Sequence, residues 1–323
     1  MFRSIRPFIF AVLVVAPSVA YPLEVPFSDR QIIFDEEIVS ETVSNYGEVF
    51  IEGLDIDQDG DNDFVTEASV FENLGGSSPE FVEHSIADLD KKLVGIADLN
   101  GDGTPELVAD SGYHSISIPL SGSSSFFPFL VSDLEVYDIG DLDGDSDLDL
   151  LCGQNLGHQD IVSAEALGWL ENDGAGTPTF TFRPIASATF VTVAKGLVVD
   201  LDLDGDQDLV VEDGYEDGIR AYLNDGSPDP SFDVRLEIFD EYDYSDLLAE
   251  DLDQDGDIDV IAFGKDNYNW FENDGGNPPA FKTRTIETAN HLGDTHVVVD
   301  DIDLDGFLDL ASTESYRVRW FEN

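Results

Sequence analysis

One pattern recurs six times along the chain: an apolar run, acidic residues at alternate positions around a glycine, and a second apolar run. The copies begin at Asp55, Asp98, Asp141, Asp200, Asp251 and Asp301, at intervals of 43, 43, 59, 51 and 50 residues. A repeat of about that length suits one four-stranded blade of a propeller. A second signature keeps step with the first: Phe71-Glu-Asn73, Trp169–Gly174, Tyr222–Gly226, Trp270–Gly275 and Trp320–Asn323. An aromatic strand that runs into Asn-Asp-Gly signals a hairpin, because all three residue types tolerate the positive φ of such turns. Short alternating segments such as Phe81–Ile86 and Phe281–Ile286 follow most copies and read as outer strands. The second repeat lacks a clear aromatic-Glu-Asn segment, which leaves its outer half weakly defined.

The phase of the array predicts closure. Its last repeat stops after the aromatic strand, whereas Arg30–Ile38 reads as an outer strand with no blade before it. Pairing the two completes a sixth blade and removes an exposed edge. The expected fold is therefore all-β: a β-propeller of six four-stranded blades, in preference to seven, with the ring closed by the N-terminal strand pairing into the C-terminal blade. A seventh blade would have to hide in the 59-residue interval, whose excess is too small. A β-sandwich with Asp-rich turns is the competing arrangement.

The loops themselves are nine residues long. Their candidate ligands are Asp55, Asp57, Asp59, Asp61 and Asp63; Asp98, Asn100, Asp102 and Glu106; Asp141, Asp143, Asp145, Asp147 and Asp149; Asp200, Asp202, Asp204, Asp206 and Asp208; Asp251, Asp253, Asp255, Asp257 and Asp259; and Asp301, Asp303, Asp305, Phe307 and Asp309. Calcium takes about six to eight oxygen ligands at roughly 2.3–2.6 Å. Carboxylates at positions 1, 3, 5 and 9 and a backbone carbonyl at 7 can wrap such an ion, with glycine at 6 making the turn. A helical calcium hand would need a bidentate Glu at position 12; here Thr66, Ala109, Cys152, Val211, Ala262 and Ser312 stand there. Flanking Val- and Leu-rich runs argue for strands. Any single acidic loop could be a solvated turn. Six in phase, carrying 27 of the chain's 70 acids, point to calcium, up to six ions, rather than to the smaller, strictly octahedral magnesium. Asn100 and Glu106 lower the charge of the second loop, Ser146 replaces glycine at position 6 of the third and predicts a distorted loop there, and Phe307 supplies its carbonyl alone.

Charge and composition narrow the partners. Lys and Arg number 14 against 70 Asp and Glu, a formal net charge of −56. So negative a surface repels phosphate backbones and anionic lipid, which argues against nucleic acid. Residues 1–20 carry Arg3 and Arg6, an apolar run from Phe8 to Val15 and a small-residue exit at Ser18-Val19-Ala20, the pattern of a signal peptide. The expected organisation is then a signal peptide at 1–20 and a single propeller domain at 21–323 that is secreted, with no membrane span in the mature chain. Cys152 stands alone, so no intrachain disulfide can form.

The strand–Asp-x-Asp-x-Asp-Gly-x-x-Asp–strand unit resembles the FG-GAP and VCBS-type repeats, known from the calcium-binding blades of integrin-α propellers. The Trp-Phe-Glu-Asn-Asp-Gly companion is similar to secreted bacterial and algal versions. The resemblance spans nearly all of residues 30–323, although a Phe-Gly…Gly-Ala-Pro string is missing and Phe263-Gly264 is its nearest trace. It implies calcium loops that rigidify the blades of a protein used in adhesion, carbohydrate recognition or, in some members, polysaccharide cleavage.

No nucleophile, zinc or phosphate-loop motif is present. His291 and His296 flank Asp294 but lack a partner at diagnostic spacing, and read as a polar loop. Trp169, Trp270 and Trp320 could stack on sugar rings, yet their repeated strand position favours packing between blades. The function expected is a binding or adhesion module for a glycan or an extracellular protein. The alternative is a polysaccharide lyase on the same scaffold, and a pure calcium buffer is a third reading.

Overall fold

A computed structural model describes residues 52–54, 63–65, 69–74, 81–85, 92–103, 106–110, 115–119, 127–129, 134–154, 167–185, 193–213, 218–240, 244–264, 267–288, 295–302, 305–314 and 317–323. These form antiparallel meanders in chain order. The first sheet comprises Glu52–Leu54 (β1), Asp63–Val65 (β2), Ser69–Asn73 (β3) and Phe81–Ser85 (β4). Lys92–Ala97 (β5), Glu106–Asp110 (β6), Ser115–Pro119 (β7) and Phe127–Phe129 (β8) make the second, which defines the outer half that the sequence left open. The third holds Leu134–Gly140 (β9), Asp149–Gln154 (β10), Leu167–Asn172 (β11) and Phe180–Pro184 (β12). In the fourth lie Val193–Val199 (β13), Asp208–Asp213 (β14), Gly218–Leu223 (β15) and Val234–Phe239 (β16). The fifth has Tyr244–Glu250 (β17), Asp259–Gly264 (β18), Asn267–Asn273 (β19) and Phe281–Thr288 (β20). Thr295–Asp300 (β21), Asp309–Glu314 (β22) and Arg317–Phe321 (β23) complete a sixth sheet, which has three strands among the described residues. The expected closing strand, Arg30–Ile38, lies outside those residues, as do residues 1–20.

The sheets fall into two compact units, one with the first and sixth sheets and one with the second to fifth. In the second unit, successive sheets pack face to face through three apolar clusters. Val108 and Leu99 meet Val136, Leu150 and Cys152 between the second and third sheets. Leu151, Leu167 and Trp169 meet Leu209, Val211 and Tyr222 between the third and fourth. Val210, Ile219 and Ala221 meet Leu247, Val260 and Phe271 between the fourth and fifth. A strand covered on both faces has no polar side to alternate with, so β15 and β18 are buried at every position. Trp169 is packed as expected, whereas Trp320 is 45% exposed.

Register shows where the acidic loops sit. Gly140 pairs with Asp149, Val199 with Asp208 and Glu250 with Asp259. Positions 1–8 of these three loops are thus the turn between the first two strands, and position 9 is already the first residue of the second strand.

The Asn-Asp-Gly turns depart from the expectation. Gly174, Gly226 and Gly275 take φ of +63°, +64° and +64°, but among the described residues no Asn or Asp has positive φ. The first and third are seven-residue connections, since Asn172 pairs with Phe180 and Asn273 with Phe281, whereas the second runs from Leu223 to its partner Val234. The Asp works through its side chain instead. Asp173 Oδ1 accepts the N–H groups of Ala175 and Thr179, Asp225 Oδ1 those of Ser227 and Ser231, and Asp274 Oδ1 those of Gly276 and Ala280. An Asx-type staple of this kind reinforces a wide turn that a backbone hydrogen bond also closes, from the N–H of Asp173, Asp225 and Asp274 to the carbonyls of Thr179, Ser231 and Ala280.

Candidate metal loops

Each described acidic loop organises itself around its first carboxylate. In all five loops with described turns, the N–H of position 6 donates to the Asp at position 1: Gly103 to Asp98 at 2.7 Å, Ser146 to Asp141 at 3.0 Å, Gly205 to Asp200 at 3.2 Å, Gly256 to Asp251 at 3.1 Å and Gly306 to Asp301 at 3.0 Å. The N–H of position 7 donates to the Asp at position 5: Asp147 to Asp145, Asp206 to Asp204, Asp257 to Asp255 and Phe307 to Asp305, at 2.9–3.1 Å. Reaching these acceptors needs left-handed backbone twice. Position 6 has φ of +87°, +79°, +103°, +103° and +98° from the second loop to the sixth. Position 4 has φ of +68° at Gly101, +72° at Gly144, +57° at Leu203 and +59° at Gln254.

Ser146 therefore adopts the conformation of the glycines it replaces and keeps the same hydrogen bond, contrary to the distorted loop expected from the sequence. Left-handed backbone at position 4 was not foreseen, because Leu203 and Gln254 give no sequence sign of it.

The ligand oxygens converge. Within each of four groups, one ligand atom per residue lies within 4.8 Å of the others: Asp98, Asp102 and Glu106; Asp141, Asp143 and Asp149; Asp200, Asp202 and Asp208; and Asp251, Asp253 and Asp255. In the first loop, Asp55, Asp57, Asp59 and Asp61 lie outside the described residues, and Asp63 opens β2. In the sixth, Asp303 lies outside them, Asp301, Asp305 and Asp309 are placed, and Phe307 is 48% exposed. Asn100 directs its amide to Glu106 at 2.6 Å and its carbonyl to the Asp102 N–H at 2.9 Å, so the second loop closes partly on itself.

Position 9 has a double role. Asp149 accepts the N–H of Leu142 at 2.9 Å on one oxygen and that of Asn172 at 2.8 Å on the other. Asp208 does the same with Leu201 and Asn224, Asp259 with Leu252 and Asn273, and Asp309 with Ile302 and Asn323. These carboxylates are almost wholly buried. Burial pushes Asp149 and Asp208 up to about 7 and Asp259 to about 6, against the pull of those N–H groups. Burial also raises Asp143, Asp202 and Asp253, reinforced in each by the carboxylate two residues on.

Position 7 was expected to act through its carbonyl. Its side chain has separate work, for a Cβ added at Gly174, Gly226 or Gly275 would collide with the carboxylate of Asp147, Asp206 or Asp257. The glycine of each Asn-Asp-Gly turn is what lets that carboxylate pack against it.

Calcium fits this donor set on the structure's own terms. Asp200 Oδ1, Asp202 Oδ1 and Asp301 Oδ1 are buried and carry no hydrogen bond. Buried anionic oxygens without a donor are costly unless a cation faces them. Hard carboxylate oxygens without imidazole or thiolate suit calcium over transition metals. Positions 1, 3, 5 and 9 would hold it.

An all-β chain of antiparallel meanders, each described acidic turn joining a sheet's first two strands, belongs structurally with the β-propeller-like proteins. Residues 251–312, from the fifth acidic loop into β22, match the family model for the FG-GAP-like repeat. No curated relative matches the sequence. Among solved structures, the chain is similar to a lectin of Agrocybe aegerita that recognises non-reducing terminal N-acetylglucosamine, at 17% identity and a TM-score of 0.51, covering 85% of this chain and 73% of that one. It is also similar to BBS1N solved in complex with ARL6DN, at 14% identity and a TM-score of 0.50, covering 86% of this chain and 80% of that one. At such identities the likeness concerns the fold.

Proposed function

We propose that this protein is a secreted, calcium-stabilised β-propeller that serves as a binding or adhesion module for a glycan or a surface protein. The observation that carries the calcium reading is the loop geometry: carboxylates converging within 4.8 Å in four loops, with buried oxygens of Asp200 and Asp202 that no donor reaches. Repulsion among such groups opens a metal-free loop, and a divalent cation closes it. The six in-phase repeats support a ring of six blades, closed by Arg30–Ile38 against β23. The binding-module reading draws on the FG-GAP repeat and on the likeness to a glycan-recognising lectin. The leader at residues 1–20 supports export to a compartment rich in calcium.

A thermal melt of metal-stripped protein, repeated in millimolar calcium and followed by calorimetric ion counting, tests the metal. We expect a rise of several degrees or more and four to six ions bound, as linkage requires. No shift and no bound ions would refute the calcium role. A glycan array probed with and without calcium then tests the partner class.

A further inference from the structure

Three asparagines outside the acidic loops tie the loops of neighbouring sheets together. Asn172, Asn224 and Asn273 close the third strands of the third, fourth and fifth sheets, all within one compact unit, and are 2%, 7% and 2% exposed. Each side-chain amide donates two hydrogen bonds. One goes to position 8 of its own loop: Leu148 O at 3.0 Å, Gln207 O at 3.0 Å and Ile258 O at 2.9 Å. The other crosses to position 2 of the preceding sheet's loop: Leu99 O at 2.8 Å, Leu142 O at 2.9 Å and Leu201 O at 3.0 Å. The side-chain oxygen accepts the N–H of Gly174, Gly226 or Gly275, at 3.1 Å in each case.

The residue at position 2 is held on three sides. Leu99, Leu142 and Leu201 bury their side chains in the core. Their N–H groups bind the position-9 carboxylate of their own loop at 2.9 Å. Their carbonyls take the asparagine of the next sheet. A displacement at position 2 therefore reaches both the carboxylate of one loop and the amide that seats the next. Buried amide hydrogens cannot turn to water, so the clamp closes fully or leaves polar groups unpaired.

Building on the calcium reading above, we propose that Asn172, Asn224 and Asn273 couple the second to fifth loops, so that a cation held in one raises the affinity of its neighbours. An ordered loop presents the carbonyl that orients the next asparagine, and part of the ordering needed for the next ion is already done.

The test uses the full chain with calcium alone, read by hydrogen exchange of peptides covering each loop along a calcium titration. Asp202→Asn with Asp204→Asn disables the fourth loop at half-buried and exposed positions, leaving the staple of Asp208 in place. The calcium midpoints of the third and fifth loops should then rise by about fivefold or more, the lower end of ordinary coupling. In an Asn224→Leu background the same pair of substitutions should leave the third loop's midpoint unmoved. The lost charges are identical in both backgrounds, so the difference isolates the clamp. Equal shifts in the two backgrounds, or unmoved midpoints in the first, would overturn the coupling. Should Asn224→Leu fail to fold, the fourth-loop pair still decides, because unmoved neighbours refute the proposal and a shift confined to adjacent loops at 0.15 M salt supports it. Calcium-dependent protection in no loop of the native chain would instead refute the metal reading itself.

Discussion

Ser146 sits at φ +79° and Leu203 at +57°, where a Cβ is unwelcome. The left-handed region costs an ordinary L-residue roughly 1–2 kcal/mol, while glycine's extra freedom in the unfolded chain gives back about half of that. Ser146→Gly should therefore stabilise the metal-free protein by about 0.5–1 kcal/mol in a denaturant melt. Leu203→Gly should behave alike, as its side chain is 49% exposed and loses little packing. The buried acids at position 9 set a second residue-level behaviour. Their folded pKa values of about 7, 7 and 6 lie above the ordinary Asp value of 3.8, so the folded state holds protons that the unfolded state releases. That stability is fully present below about pH 4 and is lost as pH rises through 7. Metal-stripped protein should melt lower at pH 8 than at pH 5.5. Calcium, which needs these groups ionised, should bind more tightly at pH 8. A stripped protein that melts higher at pH 8 would contradict this account.

At the scale of one loop and its strands, two acids of the same loop should part company. Asp208 accepts two N–H groups that have no water to turn to, whereas Asp204 is exposed in the turn. Asp208→Ala should cost the metal-free protein roughly 2 kcal/mol or more, from two stranded donors. Asp204→Ala should stay within about 0.5 kcal/mol of the parent and still remove one bound ion. Chemical denaturation together with ion counting on both variants reads the two effects separately. The element-level lesson is that position 9 belongs to the strand as much as to the metal. Its place in an alternating acid series made it look like a ligand. Nothing local announced that its oxygens would also receive an Asn N–H from 14 to 23 residues away.

For the whole molecule, a net charge of −56 makes self-repulsion a standing load on the folded state. Screening reaches about 30 Å at 0.01 M salt and shrinks to about 8 Å at 0.15 M. The melting temperature of stripped protein should rise with sodium chloride over that range, and calcium should flatten the dependence by neutralising the loops. A salt-independent melt would show that repulsion is already relieved within the fold. The all-β meander, the repeat period and the placement of the acidic loops are legible along the chain, because each rests on short-range pattern: apolar runs that propagate strands, and acids spaced to face one point. The three-dimensional fold decided what long-range contact decides. Left-handed backbone at Leu203 and Gln254 follows from the hydrogen bonds those loops must close, and the carboxylate of Asp206 against Gly226 follows from two turns meeting. The reach of Asn224 to Leu142 O, across 82 residues, exists because sheets stack face to face, and nothing in either segment alone foretells it.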